Sequence, residues 1–473
     1  MSKNAVVSAV STTWSRLPLS RKKLLVLLLL VLTVFSVRIL TLQFMRMHLH
    51  DPSWFQIGSY AKFDRQAREI LSGNQGLFWI HDPSRTDLAQ YPPAFPWVVA
   101  SIYKLSGNYS AESVQIVEWF FDVFISLILI TGIAATAFGW RVAIAASFLA
   151  GVSPLLAMYA AWPSADAPTA WFVLAGNWSL LVACKRKSLW FGFAAGVLLG
   201  IACWFRVNPL YLAVAWAVAV AVLGNTGWQQ RLKISAAVLS GAMIIVSPIV
   251  VRNYISFPDF TPTGGTIGTN LWEGLGETEL GRSNGFLYGD DKMVERERIK
   301  MGLPAEFPLE PQWPNGIQRD RERVRESLDF IKQHPIWYTG VMLQRMWGML
   351  KVAGKPLPYY GSSGINVTGS KCLLPAWQGG IVAAGVNVLG MLQSVIRYLL
   401  LPLMVVGIFV AVRRNLATTG LLGVTILYYL IPGTAAHTEI RYMLPMHGLL
   451  TVFAGVGVIW AVNGVAKVRR QDA

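Results

Sequence analysis

The sequence predicts an all-α, polytopic membrane protein, and three observations carry that prediction. Hydrophobic residues make up 54% of the 473 residues and charged residues only 14%, and the mean hydropathy is +0.45. Apolar runs recur from Leu24 to Trp460 with basic clusters between them. The charge pattern places all 25 acidic residues except Asp472 on one side of the membrane. An apolar run of about 20 residues crosses the hydrocarbon as a helix, so the expectation is about 10 transmembrane helices, within a range of roughly 10–13, and structured loops on the acidic side.

The first span, Leu24 to Phe44, follows Arg21, Lys22 and Lys23. No small-residue cleavage site follows it, so it is expected to stay as an uncleaved first helix. Basic residues favour the cytoplasmic side, which sends the next segment outward. The spans then alternate as Val114–Phe138, Val142–Ala161, Ala167–Cys184, Leu189–Phe205, Val207–Leu223, Ile234–Val250, Leu389–Val412, Leu416–Ile431 and Met443–Trp460. With this order Arg141, the cluster Lys185 to Lys187, Arg231, Lys233, Arg413, Arg414 and the stretch Lys467 to Arg470 all face the cytoplasm. The domain expectation is an N-terminal transmembrane module at 1–251 with a first outer loop at 45–113, a large outer loop at 252–380 with an amphipathic interface helix, and C-terminal helices at 381–473.

Two outer segments show organisation. In the first, Arg65 to Ser72 is helical in pattern and ends at Gly73, and Tyr91, Pro92, Pro93 and Pro96 fix a turn into an apolar run too short to span. In the second, Gly/Thr/Pro chemistry from Pro258 to Thr269 leads to the charged stretch Asp290 to Lys300, a helical stretch Asn315 to Gln333, and a Trp-rich amphipathic stretch Ile336 to Val352.

Composition also excludes. The net charge of +16 is dispersed among hydrophobic spans and forms no basic stripe, which argues against nucleic acid. No internal repeat stands out, and nearly all the acids are placed outside, which argues against a transporter. Cys184, Cys203 and Cys372 lack metal-ligand spacing, the six histidines include no HExxH, and Gly264, Gly265 and Gly268 lack a Walker lysine. The cytoplasmic loops carry no acid and leave no room for a nucleotide fold, so an activated substrate must arrive on the outer face, carried by a lipid.

The candidates for chemistry are therefore the outer charges. Asp51 follows the first span beside Pro52, Trp54 and Phe55, and Asp64 lies further along the same loop; either is placed to act as a general base or to be a solvated surface charge. Asp166 sits in a short turn between two spans, as a second carboxylate or as a helix cap. Glu118 and Asp122 share one face of a span, where pairing with an arginine is the alternative to a functional role. Arg206, Arg252, Arg345 and Arg441 stand at membrane boundaries, where a guanidinium holds a lipid phosphate in a bidentate fork or snorkels to headgroups. Trp162, Trp272, Trp337 and Trp347 are candidates to line a lipid or sugar groove, interface anchoring being the alternative.

Five stretches resemble the GT-C glycosyltransferases, and within them the bacterial relatives of protein O-mannosyltransferases and the lipid A aminoarabinose transferase. They are Phe63-Asp-Arg-Gln-Ala-Arg-Glu-Ile-Leu-Ser-Gly, Tyr91-Pro-Pro-Ala-Phe-Pro, Trp204-Phe-Arg-Val-Asn-Pro, Pro248-Ile-Val-Val-Arg-Asn-Tyr and His437-Thr-Glu-Ile-Arg-Tyr-Met-Leu-Pro. The resemblance implies a GT-C fold in the bacterial inner membrane, with a cytoplasmic N-terminus and a periplasmic active site. It implies transfer, with inversion, from a polyprenyl-phosphate sugar to a lipid, glycan or protein acceptor. In such enzymes a first-loop Asp is the base. This chain departs from the usual position, carrying Gly58-Ser59-Tyr60-Ala61-Lys62-Phe63 there, so Asp51 and Asp64 compete, with Asp51 favoured for its place at the membrane end of the loop. Arg206, Arg252, Arg345 and Arg441 would bind the donor phosphate, with His437, Glu439 and Tyr91 in support and Asp166 as a further catalytic carboxylate. No cofactor is expected beyond the lipid-linked sugar as co-substrate and no metal ligand set is read, although divalent-metal dependence stays open. A glycan polymerase or ligase with a polyprenyl-linked donor is the alternative.

Overall fold

Hydrocarbon offers no partner to a backbone N–H or C=O, so the apolar runs satisfy their own backbones as helices. The computed structural model describes residues 21–50, 57–73, 80, 82–264, 266–350, 380–437 and 439–471. Asp51, Cys372 and the end of the amphipathic stretch beyond Leu350 lie outside the described residues. In chain order the helices are α1 (Arg21–Met47), α2 (Ile57–Leu71), α3 (Asp87–Gln90), α4 (Ala94–Ser106), α5 (Ala111–Phe138), α6 (Trp140–Val152), α7 (Pro154–Ala160), α8 (Asp166–Arg186), α9 (Leu189–Phe205) and α10 (Leu212–Leu223). They continue as α11 (Trp228–Ser256), α12 (Ile267–Gly276), α13 (Glu279–Ser283), α14 (Asp290–Lys300), α15 (Gly316–Gln333), α16 (Pro335–Leu350), α17 (Gly380–Arg414), α18 (Leu416–Leu430) and α19 (Leu444–Gln471). Among the described residues there is no β-strand.

Seven stretches, in α1, α5, α8, α11, α17, α18 and α19, are long and apolar enough to cross a membrane, and α6 with α7, bent by 64°, is either a broken eighth span or a re-entrant loop. The apolar helices α9 and α10 lie in two of the stretches expected as spans and fall below that length. The loop between α1 and α5 meets the loop between α11 and α17, where Thr86 donates to the Gln312 carbonyl and Arg252 to the Leu88 carbonyl. The basic segment at the end of α8 meets the end of α5 and the start of α11, where Lys185 donates to the Thr136 carbonyl and Gln230 to the Lys187 carbonyl. The long stretch from Ile381 to Val412 is one helix, α17, with Pro402 inside it.

Close crossings set the bundle. Gly196 on α9 faces the carbonyl of Val238 on α11, and a Cβ there would lie 2.0 Å from that oxygen. Gly407 on α17 meets the carbonyl of Phe453 on α19 in the same way, at 1.8 Å. Helices in hydrocarbon gain from such backbone approach because dispersion, and not water exclusion, holds them together.

A buried cation locks the first helix to the rest. Arg38 of α1 is fully buried, and its Nη1 donates to Oδ2 of Asp122 at 3.1 Å. Its Nε donates to the Gly151 carbonyl and its Nη2 to the Ala150 carbonyl, each at 3.0 Å, and Nη1 also reaches the Leu156 carbonyl. The carbonyls of Ala150 and Gly151 are freed where α6 breaks: Pro154 has no N–H to give Ala150, and the guanidinium supplies the missing donor. Asp122 also accepts from Ser126 Oγ and Trp171 Nε1. The structure thus resolves the Asp122 alternative in favour of pairing with arginine.

Removing one partner of a buried ion pair leaves the other charge unpaired, at a cost of roughly 3–5 kcal/mol. Arg38→Ala is therefore expected to lower the melting temperature of the detergent-purified protein more than any substitution at the exposed Arg68–Asp64 pair. Equal melting of Arg38→Ala and wild type contradicts the lock.

Candidate functional site

The loop-bearing end of the bundle holds a chain of alternating charges, built from five separate parts of the sequence. Asp166 opens α8, where a carboxylate is favoured by the helix dipole. The turn before it is pinned by α5: Gln115 Nε2 donates to the Ala161 carbonyl at 2.8 Å, and Glu118 accepts from the Ser164 N–H at 3.0 Å. The Asp166 side chain does not cap its helix. Instead its Oδ1 meets Arg206 Nε at 2.5 Å and its Oδ2 lies 3.8 Å from Arg441 Nε.

Arg206 stands where α9 ends, and its guanidinium lies over the Tyr442 ring at 4.5 Å. Its side chain keeps 20% exposure against 5% for Arg441, so Arg206 is the more exposed of the two cations at Asp166. Tyr91 and Tyr442, both half-buried, lie beside it. Lys62 of α2 lies over the Tyr91 ring at 5.7 Å and brings a further cation to the rim.

Arg441 continues the chain inward. Its Nη2 donates to Glu439 Oε1 at 2.7 Å, and that same oxygen lies 3.8 Å from His437 Nε2. His437 Nδ1 meets Glu277 Oε1 at 2.6 Å, and the other oxygen of Glu277 accepts from Arg345 Nη2 at 3.2 Å. Arg345 also donates to the carbonyls of Gly274, Thr434 and Ala436. The loop carrying His437 approaches α12 closely because residue 274 is glycine: a Cβ there would lie 2.6 Å from the His437 nitrogen.

The environment sets the charge states. Burial lowers the His437 imidazolium, but its bonds to Glu277 and Glu439 outweigh this and hold it well above its ordinary 6.5. Burial raises Glu439, but Arg441 and then His437 overcome it and bring it down to about 2. Burial pushes Glu273, one turn before Glu277 on α12, up to about 7. The cluster therefore contains one acid that titrates near neutrality.

The arginine quartet expected from the sequence is divided by the fold. Arg206 and Arg441 meet at Asp166, with Glu439 and His437 behind them and Tyr91 alongside. Arg345 joins only through Glu277, with its guanidinium taken up by Glu277 and three carbonyls. Arg252 donates to Asn253 Oδ1 at 2.9 and 2.7 Å and to the Leu88 carbonyl, tying α11 to the first loop. Asp64 accepts from Tyr103 OH at 2.6 Å and from Arg68 at 2.9 Å, which occupies both of its oxygens. Asp51 lies outside the described residues. Of the tryptophans, Trp162 and Trp272 are buried, Trp337 packs against Phe330, and Trp347 is exposed.

Sequence reasoning missed Glu277, Glu273, Gly274, Tyr442 and Lys62. The four-residue spacing of Glu273 and Glu277 around an apolar Trp272-Leu275 segment was the one local signal for the two acids. Among the described residues no group of three or more His, Cys, Asp or Glu is arranged to hold a metal ion.

Residues 90–251 match the family described as dolichyl-phosphate-mannose-protein mannosyltransferase, which is of the GT-C type. The resemblance read from the motifs is met by that match, whose span includes Tyr91, Asp166 and Arg206. No curated protein matches the chain. Among solved structures the chain is similar to the Archaeoglobus fulgidus oligosaccharyltransferase in the apo form, at 12% identity and a TM-score of 0.48, over 94% of this chain and 52% of that one. It is also similar to the archaeal oligosaccharyltransferase AglB from Archaeoglobus fulgidus in complex with an inhibitory peptide and a dolichol-phosphate, at 12% identity and a TM-score of 0.45, over 87% of this chain and 47% of that one. The chain spans about half the length of those structures.

The charge states give a pH signature of stability. His437, raised in the folded protein, contributes stability that is complete below its ordinary 6.5 and is lost as pH rises through the raised value. Glu439, depressed when folded, contributes stability above its ordinary 4.5 that is lost as pH falls toward about 2. Thermal melting across this range is expected to show both limbs, and His437→Asn is expected to reduce the alkaline one. An unchanged alkaline limb in His437→Asn contradicts the assignment.

Proposed function

We propose that the chain is an integral-membrane glycosyltransferase that moves a sugar from a polyprenyl-phosphate donor to a hydroxyl-bearing lipid, glycan or protein acceptor at the outer face, with inversion. The observation that supports it most is the convergence of Arg206 and Arg441 on Asp166 at the loop-bearing end, with Arg206 still partly open between Tyr91 and Tyr442. A phosphate at the headgroup level meets there a guanidinium already oriented by a carboxylate and an aromatic face.

The reaction is a single displacement. A carboxylate removes the acceptor proton as its oxygen attacks the anomeric carbon, and the bond to the polyprenyl phosphate breaks on the opposite face. The phosphate leaves as an anion, so it requires positive charge and no general acid. Arg206 supplies that charge directly, and Arg441 supports it across Asp166. Asp166 then orients the two arginines, and its role as proton acceptor recedes because it faces both of them. Because Asp64 is engaged by Tyr103 and Arg68, the reading assigns the base to Asp51, at the membrane end of the first loop. The N-terminus is cytoplasmic and the membrane is the bacterial inner membrane in this reading, with the reacting end facing the periplasm.

The reading is tested by incubating purified protein in lipid with polyprenyl-phosphate monosaccharides and envelope acceptors, with and without EDTA. Arg206→Gln is expected to lower kcat/KM by about 10²–10³-fold, as for loss of one oriented donor to a developing anion. Asp51→Asn is expected to lose about 10²–10⁴-fold, the range for a general base, and Asp64→Asn much less. Transfer only from oligosaccharide carriers would favour the polymerase or ligase alternative, and full activity of Asp51→Asn would remove it as the base.

A further inference from the structure

The charge chain does not end at the membrane helices. Its far half, Glu277 and Arg345, belongs to the second outer loop, on α12 and α16. We infer that Glu277 is a positioning residue for donor-phosphate binding: it clamps His437 against Glu439, and through Glu439 it fixes the Arg441 guanidinium beside Asp166 and Arg206. This inference rests on the phosphate-binding reading above and names what orients that site.

The geometry carries the argument. His437 lies between two carboxylates, with Nδ1 2.6 Å from Glu277 and Nε2 3.8 Å from Glu439. An imidazole bonded on one side and facing a carboxylate on the other serves both when each ring nitrogen carries a proton. Glu277 is itself held by Arg345, whose remaining donors are fixed by the carbonyls of Gly274, Thr434 and Ala436. The ring is thereby held between Glu277 at the end of α12 and Glu439 on its own segment, with Arg345 of α16 fixing Glu277. The charged and titratable groups facing it are Glu273 and Glu277 from α12, Tyr288 from the following loop, Arg345 behind Glu277, and Glu439 with Arg441 on its own segment.

With His437 cationic, Glu439 is shared between an imidazolium and Arg441 and both stay in place. With His437 neutral, Glu439 faces Arg441 alone and draws it away from Asp166. Donor-phosphate affinity is therefore expected to be high while His437 is protonated and to fall as pH rises through its titration. Neutralising Glu277 removes the charge that keeps the imidazolium, so the fall moves to lower pH.

The test measures binding of a polyprenyl monophosphate to nanodisc-embedded full-length protein between about pH 5 and 10, for wild type, Glu277→Gln, Glu277→Asp and Glu297→Gln. Glu277→Gln is expected to move the alkaline loss of affinity down by about 1–3 pH units, the range for losing one adjacent opposite charge. Glu277→Asp keeps the charge and is expected to restore the wild-type limb. Glu297 pairs with Arg319 and Arg323 in the same loop, away from His437, so Glu297→Gln is expected to lower the melting temperature without moving the limb. A folded Glu277→Gln whose pH profile superimposes on wild type overturns the inference. Wild type that does not bind the polyprenyl phosphate at any pH overturns instead the reading on which it rests. A further check is histidine NMR of the wild type: one of the six histidines, assigned through His437→Asn, should titrate above the ordinary 6.5. A His437 that titrates at or below 6.5 overturns the inference whether or not the variants fold.

Discussion

A buried charge is tolerated where an opposite charge meets it, and the candidate site of this protein is organised by that constraint. Arg345, Glu277, His437, Glu439, Arg441, Asp166 and Arg206 form one sequence of alternating sign, drawn from α16, the end of α12, the segment before α19, the start of α8 and the end of α9. Each member faces an opposite charge, and of the seven the Arg206 side chain is the most exposed. The same constraint operates deeper, where Arg38 and Asp122 hold α1 against α5 and the broken α6–α7 pass. The two systems divide the work: one fixes the helices, the other orients the end on which the loops gather.

The membrane helices were legible in the sequence because their signal is local. A run of apolar residues bounded by basic clusters dictates a helix in hydrocarbon, and α5, α8, α11 and α18 lie within a few residues of the spans read from it. The loops were legible where charge and apolar residues alternate at helical spacing, as in α15 and α16. Helix α12 was not. Its N-terminal N–H groups, at Gly268 and Thr269, are capped by Asp320 from α15, a partner about fifty residues away that no local pattern announces.

The site shows the same division. Asp166, Arg206, Arg441, His437 and Glu439 could be named because charged residues at membrane boundaries are rare and stand out. Their grouping could not be read: Arg206, Arg252, Arg345 and Arg441 are chemically alike, and only tertiary contacts separate the pair at Asp166 from Arg252 on Asn253 and Arg345 on Glu277. Arg38 carried a signal that went unread, since a lone arginine within an apolar span needs a partner. Glu277 lay hidden among ordinary loop acids, and its burial against His437 sets it apart from Asp290 and Glu295, which remain exposed.

The central claim is that the open end of the charge chain is a phosphate site. It is tested most directly by an experimental structure of the protein in lipid with a bound polyprenyl phosphate. The account predicts the phosphate within hydrogen-bonding distance of the Arg206 guanidinium, beside Tyr91 and Tyr442, with Asp166 still holding Arg206 and Arg441. A phosphate bound elsewhere, with Arg206 contacting only Asp166 and Tyr442, would contradict it.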